Sequence, residues 1–383
     1  MTDRLLRPVA LSSVVLAPGG TDVARHAEVR ATGAAVDVAV PPLRVGQHVL
    51  RHMALHQHPP DATWRETSYR AATPWVVTFR DVTVFGAAGL IVAGDELVAD
   101  TAGRADPRRD GFRVTPEGVV LHAAGPALRI DGGCLSLLGV GADSLYHWTI
   151  DGIGRLAAAD AAALDGVMDL LLPAGLGAVQ RALLARAGMP EGLRVHEVAP
   201  GMVVRVARLV VPWSIESDFT VGGNHRPHPC LRPYFARVTA AGAAPAGSAR
   251  VYIDRRGSPN RRMLNEDAVV AALAGFGFVP VRLEALDAAA QIGVFAHAEA
   301  IVAPHGAGLA HLVHARPGTK VLELHAAHWV NWCFRRHAAV LGLEYDCIAG
   351  PAVGGRADDH VNTRSWAVPV THLQAAVSAL LGG

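Results

Sequence analysis

The chain has 383 residues, 51% of them apolar and 18% charged, with a formal net charge of +1. Such values describe a globular chain long enough for two or three domains, and they exclude a disordered chain. Near-neutral charge also argues against broad nucleic-acid binding, which needs a strong basic field, while leaving room for a local basic pocket for one nucleotide.

The opening MTDRLLRPVALSSVVLAPGG holds a brief, proline-broken apolar run, too short for a membrane span, and reads as cytosolic. That reading stays compatible with peripheral attachment at the inner face of a membrane through partners. Cys134, Cys230, Cys333 and Cys347 are far apart and lack CxxC spacing, which argues against a disulfide framework or structural zinc. From about Val36 to Val140, short β-branched runs such as WVVTFRDVTVFG and ALRIDGGCLSLLG alternate with Gly and Asp turns. Residues 1–140 are therefore expected to form a β-rich N-terminal segment, read as a structural cap, with acceptor binding as the alternative role.

Near Tyr146 the pattern changes. YHWTIDGIGRLAAADAAALDG is helical in composition, MDLLLPAG reads as a buried strand, QRALLARAGM as an amphipathic helix, and LRVHEVAPGMVVRVARLVVP as one or two strands. This βα alternation predicts a first α/β lobe over residues 141–245. Within it, WSIESDFTVGGNHRPHPCLRPYFARV is a long irregular stretch containing His225 and His228, and Thr239–Ala249 reads as an interdomain linker. A second α/β lobe is expected over 246–367. Its pieces include the strand VYIDRRG, the strand AIVA, a helix over WVNWCFRRHAAVLG and a strand at LEYDCIA. The last helix, about Val370 to Leu381, is placed to dock back on the first lobe. The expected fold class is α/β: two Rossmann-like lobes with a cleft between them, as in GT-B proteins, preceded by the β-rich segment.

Chemistry concentrates between Val251 and Leu324. Arg255 and Arg256 end a strand, and strand alternation lets only one of them face a ligand; Arg261 and Arg262 follow in the loop. The run Pro304-His305-Gly306-Ala307-Gly308 joins a buried strand to a helix start, whose free N–H groups and partial positive charge suit an anion such as a diphosphate. Arg255 is the first choice for that contact, because a guanidinium donates in pairs and stays charged. His305 is suited to donate to a phosphate oxygen, and Glu323, at the end of the next strand, to accept from ribose hydroxyls. Asn265 and Glu266 serve equally as ligand contacts or as caps of the following helix, and Gln291 reads as structural. A metal reading rests on His305, His311, His314, His325 and His328, but no HExxH-type spacing supports it.

Taken in order, Tyr146-His147-Trp148-Thr149-Ile150-Asp151, Arg255, RRMLNED (Arg261–Asp267), Gln291, PHGAGL (Pro304–Leu309) and PGTKVLEL (Pro317–Leu324) resemble glycosyltransferase family 61. The resemblance covers roughly a fifth of the chain and almost nothing of the first 130 residues. It implies an inverting, metal-independent transferase that moves a sugar from a nucleoside-diphosphate donor to a glycan acceptor in capsular or other surface polysaccharide biosynthesis. Arg255, Arg261, Asn265, His305, Gly306, Ala307, Gly308 and Glu323 would then hold the nucleotide sugar, with no metal. Inverting transfer needs a base. Asp151 matches the family's acidic position and is the candidate, with His147, one helical turn away, in reserve; the alternative for Asp151 is a salt bridge to Arg155. Other readings are a non-catalytic glycan-binding subunit of the same fold, or a pyruvyl- or Kdo-type polysaccharide transferase. Oligomerisation is left open.

Overall fold

The structure, a computed structural model, describes residues 4–9, 27–44, 65–98, 101, 110–115, 118–124, 127–212, 226–240, 248–258, 260–354, 360 and 363–382. They fall into two units, one of residues 1–36 and 72–222 and the other of 37–71 and 223–383. Each has its own sheet and core, and the whole is a mixed α/β protein. Among the described residues, no helix is long and apolar enough to cross a membrane.

Numbered along the chain, the first unit holds β1 (Arg4–Val9), β2 (Ala27–Ala31), β5 (Trp75–Phe85), β6 (Leu90–Ala93), β7 (Glu96–Val98), β8 (Phe112–Thr115), β9 (Gly118–Leu121), β10 (Ala127–Ser136), β11 (Val167–Pro173), β12 (Arg194–Val198) and β13 (Val203–Pro212). All eleven join one sheet. β12, β11, β10 and β13 lie side by side in parallel, and β13 then pairs antiparallel with β5. The expected β-rich segment and first lobe therefore share a sheet. β10, which precedes residue 140, is flanked by β11 and β13, which follow it, so no boundary falls there. Phe79, Val84, Cys134, Leu171 and Leu209 come from both sides of residue 140 and pack into one core. The crossover from β10 to β11 is helical from Leu145 to Ala158 and again over Ala161–Leu164. The crossover from β11 to β12 carries α1 (Ala178–Ala185).

In the second unit, the small pair β3 (Val36–Ala39) and β4 (Ser68–Ala71) accompanies a five-stranded parallel sheet. Its strands are β14 (Arg250–Ile253), β15 (Val279–Val281), β16 (Ala300–Pro304), β17 (Lys320–Ala326) and β18 (Glu344–Gly350), in the order β15-β14-β16-β17-β18. Counted within the unit this is 2-1-3-4-5, a doubly wound order whose direction of winding reverses between β14 and β16. Its helices are α2 (Leu231–Ala240), α3 (Glu266–Ala274), α4 (Ala288–His297), α5 (Cys333–Leu341) and α6 (Val370–Leu381). A segment of tighter 3-10 helix, Ala307–His314, links β16 to β17. β16 is central and buried along its whole length, as its unbroken apolar run requires in a sheet covered on both faces.

Two differences from the sequence reading stand out in this unit. The end of the long irregular stretch is helix α2, which tolerates Pro233 in its first turn and buries Leu231, Tyr234, Phe235 and Val238 on one face. The preceding residues 213–225, His225 among them, and most of the linker (241–247) lie outside the described residues. The final helix spans the expected residues, and its Leu373, Ala376, Val377 and Leu380, at helical spacing, join the core made by α3, β17 and β18 of its own unit.

A buried polar pair ties the β16–β17 crossover to α4. Gln291 donates through Nε2 to the carbonyls of Leu283 (2.9 Å) and Leu286 (3.0 Å). Its oxygen must therefore accept from His311 Nε2 at 2.8 Å, which puts the imidazole proton on Nε2. His311 Nδ1 is buried without a partner, and burial pushes the group from 6.5 down to about 4. The unfolded chain thus takes up this proton well above the pH at which the folded chain does. The stability His311 supplies is complete above pH 6.5 and is lost as pH falls towards 4, by on the order of 3 kcal/mol. Urea midpoints measured between neutral and mildly acid pH should fall steeply for the native chain. For His311→Asn they should start lower and fall less; equal slopes would remove His311 from this account.

Candidate functional site

In a doubly wound sheet, ligands bind beyond the carboxyl ends of the strands where the winding reverses. In the second unit those ends are Ile253 of β14 and Pro304 of β16; Arg255 is the second residue after Ile253, and His305 follows Pro304 directly. Arg255 spans the gap: its guanidinium donates to the His305 carbonyl (2.5 Å) and to Ser258 Oγ (2.9 Å). Its backbone N–H donates to Glu266 Oε1 (2.8 Å), which also accepts from Tyr252 Oη (2.8 Å). Glu266 is thereby a buried anchor for the β14 end. Arg256, in the turn after β14, is instead engaged in ion pairs with buried Asp254 (2.5 Å) and exposed Asp267 (2.9 Å).

The guanidinium of Arg255 lies against Gly306. A Cβ at that position would sit 2.9 Å from Arg255 Cζ, so glycine is what lets the arginine close over the turn. Gly308 has a different reason: its Cβ would come 2.8 Å from Leu283 Cδ1, a packing contact. Ala307 is exposed and Gly308 half-buried, so the first turn of the Ala307–His314 segment reaches the surface. Helix starts leave their first N–H groups without intrahelical partners.

Behind the turn sits a buried carboxylate. Glu323, expected at ribose hydroxyls, is fully buried with both oxygens engaged. Oε1 bonds His305 Nδ1, while Oε2 accepts from Tyr345 Oη at 2.5 Å and lies 3.4 Å from His325 Nε2. Its role is to hold His305 from within. Burial alone would raise the Glu323 carboxyl, but His325 and His305 hold it well below the usual carboxylate range. His305 is pushed down to about 4, chiefly by burial and against the pull of Glu323. A neutral imidazole donating from Nδ1 to an ionised carboxylate fits both directions, and it makes Nε2 the acceptor nitrogen. His305, Glu323 and His325 each bring a ligand atom to within 4.8 Å of the others, a set able to hold a metal ion. In this arrangement the atoms bond one another. His311 and His314 do not converge with them: His311 bonds Gln291, and His314 Nδ1 lies 2.8 Å from Thr239 Oγ1.

Arg261 completes the front of the pocket. It adopts a left-handed backbone (φ 49°), and its guanidinium lies 4.3 Å from the ring centre of Trp329. Burial first, and the neighbouring Arg255 cation second, push Arg261 down to about 10. Arg255, Arg261, His305, Trp329 and Trp366 line one narrow pocket. Trp329 meets His305 edge-on at 4.8 Å between centroids. Trp366 donates from Nε1 to the Arg261 carbonyl (2.8 Å) and pairs by backbone with Arg262 and Leu264, fixing the loop that carries Arg261. Asn265, an expected nucleotide contact, is spent on the fold: Nδ2 donates to the Val368 carbonyl (2.7 Å) and Oδ1 accepts from Val368 N–H (2.9 Å). The sequence reading missed Trp329, Trp366 and Tyr345. Trp329 was within reach, since it follows the carboxyl end of β17, next to β16. Trp366 was hidden in a polar loop.

The remaining candidates, His147 and Asp151, lie in the first unit. Their helix starts as an α-turn (Leu145–His147), widens to a π-turn (Trp148–Gly152) and tightens to 3-10 (Ile153–Ala158). His147 Nδ1 is 2.6 Å from Asp151 Oδ2. Arg155 does not make the salt bridge considered for it; the buried guanidinium donates to the carbonyls of Leu138 (2.9 Å) and Ser136 (3.4 Å). Trp148 is fully buried and donates to the Gln180 carbonyl (2.9 Å), while Gln180 Nε2 donates to the Ala142 carbonyl (2.5 Å). This side-chain chain ties α1 to the turn that precedes His147.

The structure thus gathers Arg255, Arg261, His305 and Gly306 around one pocket, sets Glu323 behind it and Asn265 beside it, and pairs His147 with Asp151 in the other unit. No curated protein matches the chain. Residues 145–322 match the family model described as Glycosyltransferase 61, a span that opens at the His147 helix and closes within β17. Over that span the chain is similar to glycosyltransferase family 61.

Proposed function

We propose that the protein is an inverting, metal-independent glycosyltransferase of GT-B type that moves a sugar from a nucleoside-diphosphate donor to a glycan acceptor in capsular or other surface polysaccharide biosynthesis. The match of residues 145–322 to a glycosyltransferase family model supports the transfer of a sugar from a donor to an acceptor. The observation that carries the donor reading is the pocket at the winding reversal, where two guanidiniums and a neutral imidazole meet two tryptophans. Arg261 is already disfavoured as a cation by burial and by Arg255. An anion there would offset both costs at once, and a diphosphate carries enough charge and acceptors to meet both guanidiniums. As the bond between anomeric carbon and diphosphate breaks, charge grows on the leaving oxygen, and Arg255, Arg261 and the N–H groups after Gly306 would stabilise it. Trp329 offers a flat apolar surface at the rim for a base or sugar ring.

Calorimetric titration with a set of nucleoside diphosphates tests this. Arg255→Ala should weaken binding by on the order of 2–3 kcal/mol, the worth of a charge-assisted contact plus the loosened turn, while the fold persists. Affinity equal to that of the native chain would take Arg255 out of the site.

Gly306→Ala probes the same site without removing charge. The new Cβ would displace the end of a flexible arginine, so thermal stability should drop by no more than about 1 kcal/mol while nucleotide affinity falls about tenfold. A variant that binds normally would mean the guanidinium can move without consequence.

Chelator treatment should leave nucleotide binding and transfer unchanged. Tightly bound zinc at His305, Glu323 and His325, whose removal abolishes both, would overturn the metal-independent mechanism.

A further inference from the structure

We propose that His147, held by Asp151, is the group that takes the proton from the acceptor hydroxyl, and that Asp151 acts through it as a positioning residue. The inference rests on the transferase reading and reverses the roles that chain position alone suggests. Of the two side chains, His147 is the more open, 32% exposed against 14% for Asp151. One carboxylate oxygen of Asp151, Oδ2, is bound to His147 Nδ1, and the other, Oδ1, is buried and has no hydrogen-bond partner. Neither oxygen is presented to a hydroxyl arriving from solvent. The imidazole is: with Nδ1–H donating to the carboxylate, Nε2 is the acceptor, on the more exposed of the two residues.

The surroundings fix this ring. The backbone of Gly141 lies against it, in a left-handed turn (φ 77°) where an added Cβ would be 2.9 Å from His147 Cδ2, and Tyr146 meets it edge-on. The carboxylate itself sits in the π-turn, a rare widening of a helix that is concentrated at functional sites. Arg155, the buried cation one turn further on, gives its hydrogen bonds to backbone carbonyls and feels Asp151 only through space, leaving Oδ2 for the histidine. A carboxylate that orients an imidazole and stabilises the imidazolium is a recurring way to make a base.

In the transfer, the acceptor O–H proton passes to His147 Nε2 as the hydroxyl oxygen forms its bond to the anomeric carbon. The bond from that carbon to the diphosphate breaks on the opposite face, and the nucleoside diphosphate leaves with the electron pair. The imidazolium, its charge balanced by Asp151, then returns its proton to solvent.

The test assays nucleoside-diphosphate release by the full chain and its variants from a panel of nucleotide sugars, with p-nitrophenyl glycosides as acceptors. His147→Gln and Asp151→Asn should each lower kcat roughly 100-fold or more with donor KM nearly unchanged. The double variant should be no slower than His147→Gln alone, because one residue works through the other. Added imidazole should restore part of the turnover of His147→Ala and none of that of His147→Gln, whose side chain fills the space; nucleotide binding by each variant reports that it is folded. Near-normal turnover in His147→Gln, with Asp151→Asn inactive, overturns the proposal and makes Asp151 the base, leaving the transferase reading intact. A native chain that releases nucleotide from no donor with any acceptor overturns the transferase reading and this assignment with it.

Discussion

The hydrogen bond from Arg255 to the His305 carbonyl is the contact around which the candidate donor pocket is built. It joins the carboxyl ends of β14 and β16, the two strands between which the winding of the second unit reverses. Each neighbouring feature answers to it. Gly306 is bare so that the guanidinium can lie flat on the turn, Glu266 holds the Arg255 backbone, and Glu323 holds His305 from the buried side. A guanidinium that donates in two directions while keeping a face towards a pocket is a task for arginine, which lysine's single point of charge could not perform.

The electrostatics of the pocket follow from what stands where. The carboxylates near it are turned away or used up: Glu266 faces a backbone N–H and a phenol, and Glu323 lies behind the imidazole with Tyr345 on its other oxygen. Arg255 and Arg261 consequently meet across a half-buried space, and burial lowers both, with each other's charge adding to the cost for Arg261. Two cations held close at such a cost are an arrangement that a bound anion relieves, which is the physical content of the donor proposal.

Much of the second unit was legible because its signals are local. The buried runs of β16 and β17, the glycine turn after β16 and the span of α6 can each be read from adjacent residues. Arg255 and Arg256 do take separate partners, but they lie beyond the end of β14, where a turn and not strand alternation parts them. What escaped depends on long-range pairing. Nothing near residue 140 says that β10 lies between β11 and β13, or that β13 pairs with β5 more than a hundred residues earlier. Trp366 meets Arg261 from a distant loop, and Asn265 is committed to Val368 across a similar separation. Glu323 shows the same limit at the scale of one side chain: its place on β17 was readable, but it lies in mid-strand, not at the expected strand end, and which neighbours claimed its oxygens was not readable. His147 and Asp151 were found by spacing, while their division of labour emerges only from burial and from the oxygen left without a partner.

The most direct measurement of the central claim is a crystal structure of the chain with a nucleoside diphosphate bound. The account predicts phosphate oxygens within hydrogen-bond distance of the Arg255 and Arg261 guanidiniums and of the N–H groups that follow Gly306, with a ring of the ligand on Trp329. A diphosphate bound elsewhere, with Arg255 and Arg261 unchanged and untouched, would contradict it.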